Sequence, residues 1–242
     1  MPESYTYLIG SLLTFVFFIF LYLRRKDVRE EMLFSGIIFI FPAIFVQAFF
    51  WTRDWWRIPT ITGTRIGIED ILFTISVAGA CSACYEVLFK KRVSIRKGRH
   101  ALDIFRKREF WISTLFFLVT FTIAHYFLGL TSFWAWVVVT IILALALWLL
   151  RRDLIVDSLA SGAIYAAFSI PVFFLLNLLE PGFVQKYWFL EKLSGIIFLG
   201  VPLEDLIWFF TIGLLIGPVY EFWQEGTLKD YPGKVGTKSA RP

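Results

Sequence analysis

The chain has 242 residues, 58% hydrophobic, 19% aromatic and 18% charged, with 28 Phe, 10 Trp and a mean hydropathy of +0.70. A soluble domain of this length has no room for so much apolar surface, so the composition excludes a soluble globular protein and points to a chain immersed in a bilayer. The net charge of +5 does not indicate nucleic acid, because the basic residues sit in particular loops, and two cysteines, Cys81 and Cys84, are too few for a disulfide framework.

Met1-Pro2-Glu3-Ser4 lacks a basic n-region, and the apolar run behind it ends in Arg24-Arg25-Lys26 with no small-residue cleavage site. It is expected to be a first membrane helix and not a cleaved signal. About 20 apolar residues cross the ~30 Å hydrocarbon core, and seven stretches qualify: 5–23, 32–51, 66–89, 111–128, 132–150, 157–179 and 195–223. The fourth and fifth are joined by Gly129-Leu130-Thr131 alone, a tight hairpin. The seventh is longer than a span needs; either Pro202 kinks it, or residues 195–201 are a separate interfacial stretch.

The 24 basic residues divide as 5 on the side of the N-terminus and 19 on the other, which predicts the N-terminus outside, the C-terminus in the cytoplasm and a multi-pass protein of the cell membrane. Trp51, Trp55, Trp56, Trp134, Trp136 and Trp188 are then expected to form an outer aromatic belt, and Trp111, Trp148 and Trp223 to lie near the inner one. The run Lys90 to Arg108 reads as a topology anchor against anionic lipid.

An internal repeat runs through these spans. Ile68-Glu69-Asp70-Ile71-Leu72-Phe73 in the third corresponds to Leu203-Glu204-Asp205-Leu206-Ile207-Trp208 in the seventh. Tyr85-Glu86 and Tyr220-Glu221 follow at the same distance. Upstream, Arg24-Arg25 and Arg151-Arg152 each precede an acidic residue, a Ser-Gly pair (Ser35-Gly36, Ser161-Gly162) and a mid-helix proline (Pro42, Pro171). Four spans separate equivalent positions, so both copies have one orientation. The expected fold is an all-α membrane protein of seven transmembrane helices: two parallel three-helix repeats, helices 1–3 and 5–7, joined by helix 4. It forms one domain over 1–242, with repeat 1 at about 1–90, the spacer helix at about 91–131, repeat 2 at about 132–225 and a tail at 226–242.

The predicted spans hold no Lys or Arg, yet each repeat carries a Glu-Asp pair in apolar sequence. An acid at that depth is costly, so Glu69, Asp70, Glu204 and Asp205 are the candidate catalytic residues. Burial and a like-charged neighbour both favour the neutral carboxyl. Each pair therefore supplies a proton donor and an acceptor, the equipment for acid–base chemistry on an apolar substrate. The bland alternative is that the pairs sit at helix N-termini, favoured by the helix dipole and paired with Arg53, Arg57 or Arg65. Phe73 and Trp208 lie one turn beyond the glutamates and are the candidate substrate-binding residues, since aromatic faces stabilise cations.

Tyr85-Glu86 and Tyr220-Glu221 lie about 25 Å further along their helices and read as structure or as a surface anchor. His125 and Asn177 read as helix–helix hydrogen bonds. Cys81 and Cys84, with Ala78, Gly79 and Ser82, form a small-residue packing face.

At Pro202-Leu203-Glu204-Asp205, Gly67-Ile68-Glu69-Asp70 and Ala80-Cys81-Ser82-Ala83-Cys84-Tyr85-Glu86, the chain resembles the non-flavin lycopene cyclase family, whose members occur as two subunits or one fused chain. The signature is Pro-x-Glu-(Glu/Asp) once per repeat, and the first copy here has Gly67 in place of proline. The resemblance implies a fused, divergent cyclase of carotenoid biosynthesis, an isomerase of the intramolecular lyase type. It would close the linear ends of a C40 polyene into β-rings without net redox change, with the four acids in the proton-transfer roles. No cofactor or metal is expected. The expected partners are an apolar polyene or isoprenoid lipid and the membrane lipids, with a homo-oligomer left open. A proton-coupled or lipid-binding transporter, or a non-catalytic relative, is the alternative. A rhodopsin is excluded, because residues 195–223 carry no lysine for a Schiff base.

Overall fold

The computed structural model describes residues 4–95 and 100–232. Met1-Pro2-Glu3, residues 96–99 of the basic run and the tail from residue 233 lie outside the described residues.

The first rod is α1 (Ser4–Arg24). The second runs from Arg29 to Asp54 as α2 (Arg29–Ile38), α3 (Ile40–Val46), a π turn (Gln47–Trp51) and α4 (Thr52–Asp54). Pro42 has no N–H to offer the Ile38 carbonyl, and the regular helix is interrupted at Phe39. The predicted third span is two pieces, α5 (Ile68–Cys81) and α6 (Cys84–Leu88). Side chains cap the break from within: Ser82 Oγ donates to the Gly79 carbonyl and Cys84 Sγ to that of Cys81. After β1 (Lys91–Ser94) come α7 (Arg108–Tyr126), α8 (Ser132–Leu150), α9 (Ile155–Leu179), the short α10 (Phe183–Tyr187), β2 (Ile197–Phe198), β3 (Val201–Pro202), α11 (Leu203–Gln224) and β4 (Thr227–Asp230).

Among the described residues six helices are long and apolar enough to cross a membrane, where the sequence reading expects seven. The difference is the third, whose longer piece, α5, covers only about 21 Å. The α7–α8 connection is the expected tight hairpin, with Gly129 at φ 68° and the Thr131 hydroxyl accepting from the Trp134 N–H. Of the two readings of residues 195–201, the separate stretch holds. They turn back as a β2–β3 hairpin through Leu199 and Gly200, both at positive φ, and α11 starts at Leu203.

The two central helices are α5 and α11. The first packs on α1 and α2, the second on α8 and α9, and the two touch each other. Glycines set the distances. A Cβ on Gly36 would meet the Ile75 carbonyl at 2.9 Å, and one on Gly162 would meet that of Phe210 at 2.8 Å. A Cβ on Gly79 would lie 2.5 Å from the Met32 carbonyl, as expected of a small-residue face. Asn177, expected to bond helix to helix, instead donates to the Phe173 carbonyl of its own helix and to that of Gly200 in the β2–β3 turn. His125 Nδ1 instead bonds locally to the Leu130 carbonyl.

The same clasp occurs twice at one end of the molecule. Arg25 forks onto Asp27 at 2.8 and 2.7 Å and also donates to the Lys91 carbonyl. Arg151 forks onto Asp153 at 2.8 and 2.6 Å and donates to the Gly226 carbonyl. Between them β1 and β4 pair antiparallel, Lys91 opposite Asp230. Burial alone would raise the Asp27 carboxyl, but the guanidinium bonded to it outweighs this and holds it below its ordinary value. A depressed carboxyl stabilises the fold above its unfolded-state value and loses that contribution as pH falls through the folded-state value. Thermal melts in detergent are therefore expected to lose stability at acid pH below the ordinary aspartate range. Asp27→Asn should flatten that part of the profile, and an unchanged acid limb would contradict it.

The outer tryptophan belt is not found as expected. Trp51, Trp55, Trp56, Trp136 and Trp188 are buried, and of the six only Trp134, 52% exposed, faces outward. Their indoles pack edge to face or tilted against one another and against Trp208, at centroid distances of 4.8–6.3 Å. Each such pair adds about 0.5–1.5 kcal/mol beyond the area it buries, which favours a clustered interior over a lipid-facing ring.

Candidate functional site

Glu69 and Asp70 occupy the first turn of α5, and Glu204 and Asp205 the first turn of α11, where unpaired backbone N–H groups favour acids. All four side chains are buried. Among the described residues no Lys or Arg forms an ion pair with any of them; Arg65 donates to the Thr52 hydroxyl instead. The glutamates play matching parts. Glu69 Oε1 accepts the Ile61 N–H at 2.6 Å, and Glu204 Oε1 accepts the Ser194 N–H at 2.6 Å. Each ties the loop before its helix to the helix start, and each leaves Oε2 buried without a partner.

The aspartates differ. Asp70 Oδ1 accepts from the Tyr7 hydroxyl at 2.5 Å and from Gln47 Nε2 at 2.9 Å, while Oδ2 accepts the Gly67 N–H at 2.8 Å. Asp205 Oδ2 accepts two indole N–H groups, from Trp188 at 2.7 Å and Trp55 at 3.3 Å. A tyrosine hydroxyl both gives and takes a proton, whereas an indole N–H only donates. Asp70 thus has a partner that can exchange a proton with it, and Asp205 is held as an acceptor.

A cavity of about 610 Å³ opens beside this cluster. Tyr7, Gln47 and Asp70 line it together with Trp51, Trp56, Phe73, Trp136 and Trp208, and it follows α11 from Trp208 to Trp223, about 22 Å of helix. Its wall is otherwise almost entirely apolar. Ile112, Phe116, Ile142 and Leu150 line it and are also exposed on the outer surface, so it communicates sideways with the lipid-facing side. Of the four predicted acids, Asp70 lines this space; Glu69, Glu204 and Asp205 are not among its lining residues. Phe73 and Trp208 do meet there, stacked at 6.2 Å with planes 12° apart. The π turn Gln47–Trp51 delivers both an Asp70 ligand and a wall residue, a frequent use of such turns.

Sequence reasoning missed Tyr7, Gln47, Trp55 and Trp188. Gln47 was visible as a lone amide inside an apolar span. Tyr7 and the two tryptophans had no signal, since aromatics at span ends are common in any membrane protein. The chemistry available is a carboxyl bonded to a tyrosine hydroxyl, at the wall of an oily slot lined by aromatic rings and aliphatic side chains, with Arg108 and Glu109 also on its wall.

No curated protein and no solved structure matches the chain. One protein-family model does: the model described as lycopene cyclase matches residues 4–88 and 131–223, two segments that flank α7.

Proposed function

Because the chain belongs to the lycopene cyclase family, we propose that it closes the linear ends of a C40 carotenoid into β-rings by acid–base catalysis inside the membrane, as an isomerase with no net redox change. The family and the apolar helices make it a multi-pass membrane protein with a carotenoid cyclase-like function. The observation that carries the finer reading is the aromatic cavity with Asp70, Tyr7 and Gln47 at its wall and an opening toward lipid. A polyene dissolved in the bilayer can slide its end into such a slot without crossing water.

In this reading Glu69, Asp70, Glu204 and Asp205 form the proton-transfer set, with Asp70 the member nearest the substrate. A proton passes to the terminal double bond, the cation is attacked by the neighbouring double bond to close a six-membered ring, and a base removes a proton to leave the ring alkene. One proton enters and one leaves, so the product is an isomer of the substrate. Phe73 and Trp208 face the charge with their π surfaces. Asp205, fixed by two indole donors, is held in place behind the indole cluster as a hydrogen-bond acceptor.

The two-repeat architecture belongs to the same proposal, with repeats on either side of α7, the N-terminus outside and the C-terminus in the cytoplasm. It is supported by contacts that recur in register: the two arginine clasps, the glycine approaches at Ile75 and Phe210, the loop ties of Glu69 and Glu204, and the stack of equivalent rings Phe73 and Trp208. In cells that accumulate lycopene, expression should yield new β-ring pigments by chromatography, and Glu204→Gln should abolish them. An unchanged pigment pool from well-expressed, folded protein would refute the proposal.

A further inference from the structure

A second group of buried acids lies at the opposite end of the central helices, beyond the cyclisation site. Glu31 on α2, Glu86 on α6 and Glu221 on α11 each point one carboxylate oxygen to a common point, all within 4.8 Å of one another. Their side chains are 3%, 0% and 0% exposed. Both oxygens of Glu86 and both of Glu221 lack a hydrogen-bond donor, as does Oε1 of Glu31. Independently, Asp157 on α9, 1% exposed, leaves Oδ2 without a partner and acts electrostatically on all three glutamates. Its other oxygen takes the Ser161 hydroxyl at 3.0 Å. Burial rules out the surface-anchor reading of Glu86 and Glu221.

No basic side chain neutralises this group among the described residues. Arg25 reaches it but donates to the Glu86 carbonyl, and its charge is committed to Asp27. Carboxylates crowded out of water need a counter-charge, either a cation or protons. The donor set is all oxygen, which selects hard cations over zinc or copper. The three glutamate oxygens, all within 4.8 Å of one another, are close enough for a single hard cation such as Ca²⁺, whose oxygen ligands lie at ~2.4 Å, to bridge them. The four acids also come two from each half of the chain, Glu31 and Glu86 against Asp157 and Glu221.

We propose that Glu31, Glu86 and Glu221, with the buried Asp157 carboxyl adding negative charge nearby, bind one hard divalent cation such as Ca²⁺, which staples the two halves of the protein at the end remote from the cyclisation cavity. The proposal is independent of the carotenoid reading. The rival occupant is a proton shared between Glu86 and Glu221, which lie close enough to hydrogen-bond each other.

The test uses the full-length protein in detergent. Elemental analysis of protein purified without chelator should find about one divalent ion per chain. After EDTA treatment and its removal, millimolar CaCl₂ should raise Tm by about 5 °C or more, by mass action on the folded state. Glu86→Gln and Glu221→Gln, which keep the shape of the side chain, should abolish both the bound ion and the shift. If CaCl₂, MgCl₂ and MnCl₂ all leave the Tm of metal-free protein unchanged, or if no ion is found on the wild type, the proposal falls. A higher Tm for either glutamine variant in metal-free buffer, with no ion response in the wild type, would identify the shared proton. Should both variants fail to fold, the wild-type stoichiometry and titration still decide.

Discussion

Asp70→Asn is expected to cut β-ring formation at least about 100-fold while leaving a folded protein. General acid–base catalysis by a placed side chain is worth about 10²–10⁴ in rate, and Asn has the shape of Asp without its exchangeable proton. The amide still accepts from Tyr7 and Gln47, and its NH₂ then faces the Gly67 N–H that Asp70 Oδ2 now accepts. That mismatch costs about 1–3 kcal/mol, enough to lower Tm but not to unfold a typical domain. Pigment yield in lycopene-accumulating cells, normalised to monodisperse protein, separates the two effects. Tyr7→Phe removes the hydroxyl but leaves the carboxyl, so a smaller loss, about 10-fold, is expected from it. A folded Asp70→Asn protein that still makes rings at the wild-type rate would remove Asp70 from the chemistry.

Gly213→Val should produce the largest loss of stability of any single substitution considered. A Cβ at Gly213 would lie 2.4 Å from both Cα and N of Gly162 and 2.5 Å from the carbonyl carbon of Ser161. These are backbone atoms of α9, so no side chain can rotate away and α9 and α11 must part. Overpacking a core ordinarily costs about 1–3 kcal/mol, and separating two helix backbones exceeds that range. Against a total stability of about 5–15 kcal/mol, most of the folded population is expected to disappear from size-exclusion profiles in detergent. Gly213→Ala should be intermediate. A Val variant that elutes and melts like the wild type would show that α9 and α11 are not packed backbone to backbone here.

Much of the fold was legible because a bilayer imposes a length rule. The six long helices fall on predicted spans, and the α7–α8 hairpin sits at the residues predicted for it. The third span misled because Ala78 to Cys84 is apolar by hydropathy, yet its small side chains permit both the close approach of Gly79 to Met32 and a break at Ser82-Ala83. The seventh misled less: a separate stretch at 195–201 was one of its two readings and a kink at Pro202 the other, and only tertiary contacts show that the stretch is a hairpin.

The site was half legible. A Glu-Asp pair repeated in apolar sequence is a signal that composition noise does not make, and all four acids are buried near helix starts. Their division of labour was hidden. Asp70 meets Tyr7 and Gln47, whereas Asp205 meets Trp55 and Trp188, and none of these four partners is near its acid in sequence. The tryptophans were placed on the outside for the same reason.

By itself the sequence determined that the chain lives in a membrane, where its long helices run, and that a Glu-Asp pair recurs in apolar sequence, because charge and length are measured against one slab of hydrocarbon. Only the tertiary structure decided which apolar faces look inward, which aspartate reaches the cavity, and that Glu31, Glu86 and Glu221 meet. Lipid and protein interior are nearly equal as solvents for a Phe or Trp, so hydropathy does not distinguish a helix face turned to one from a face turned to the other.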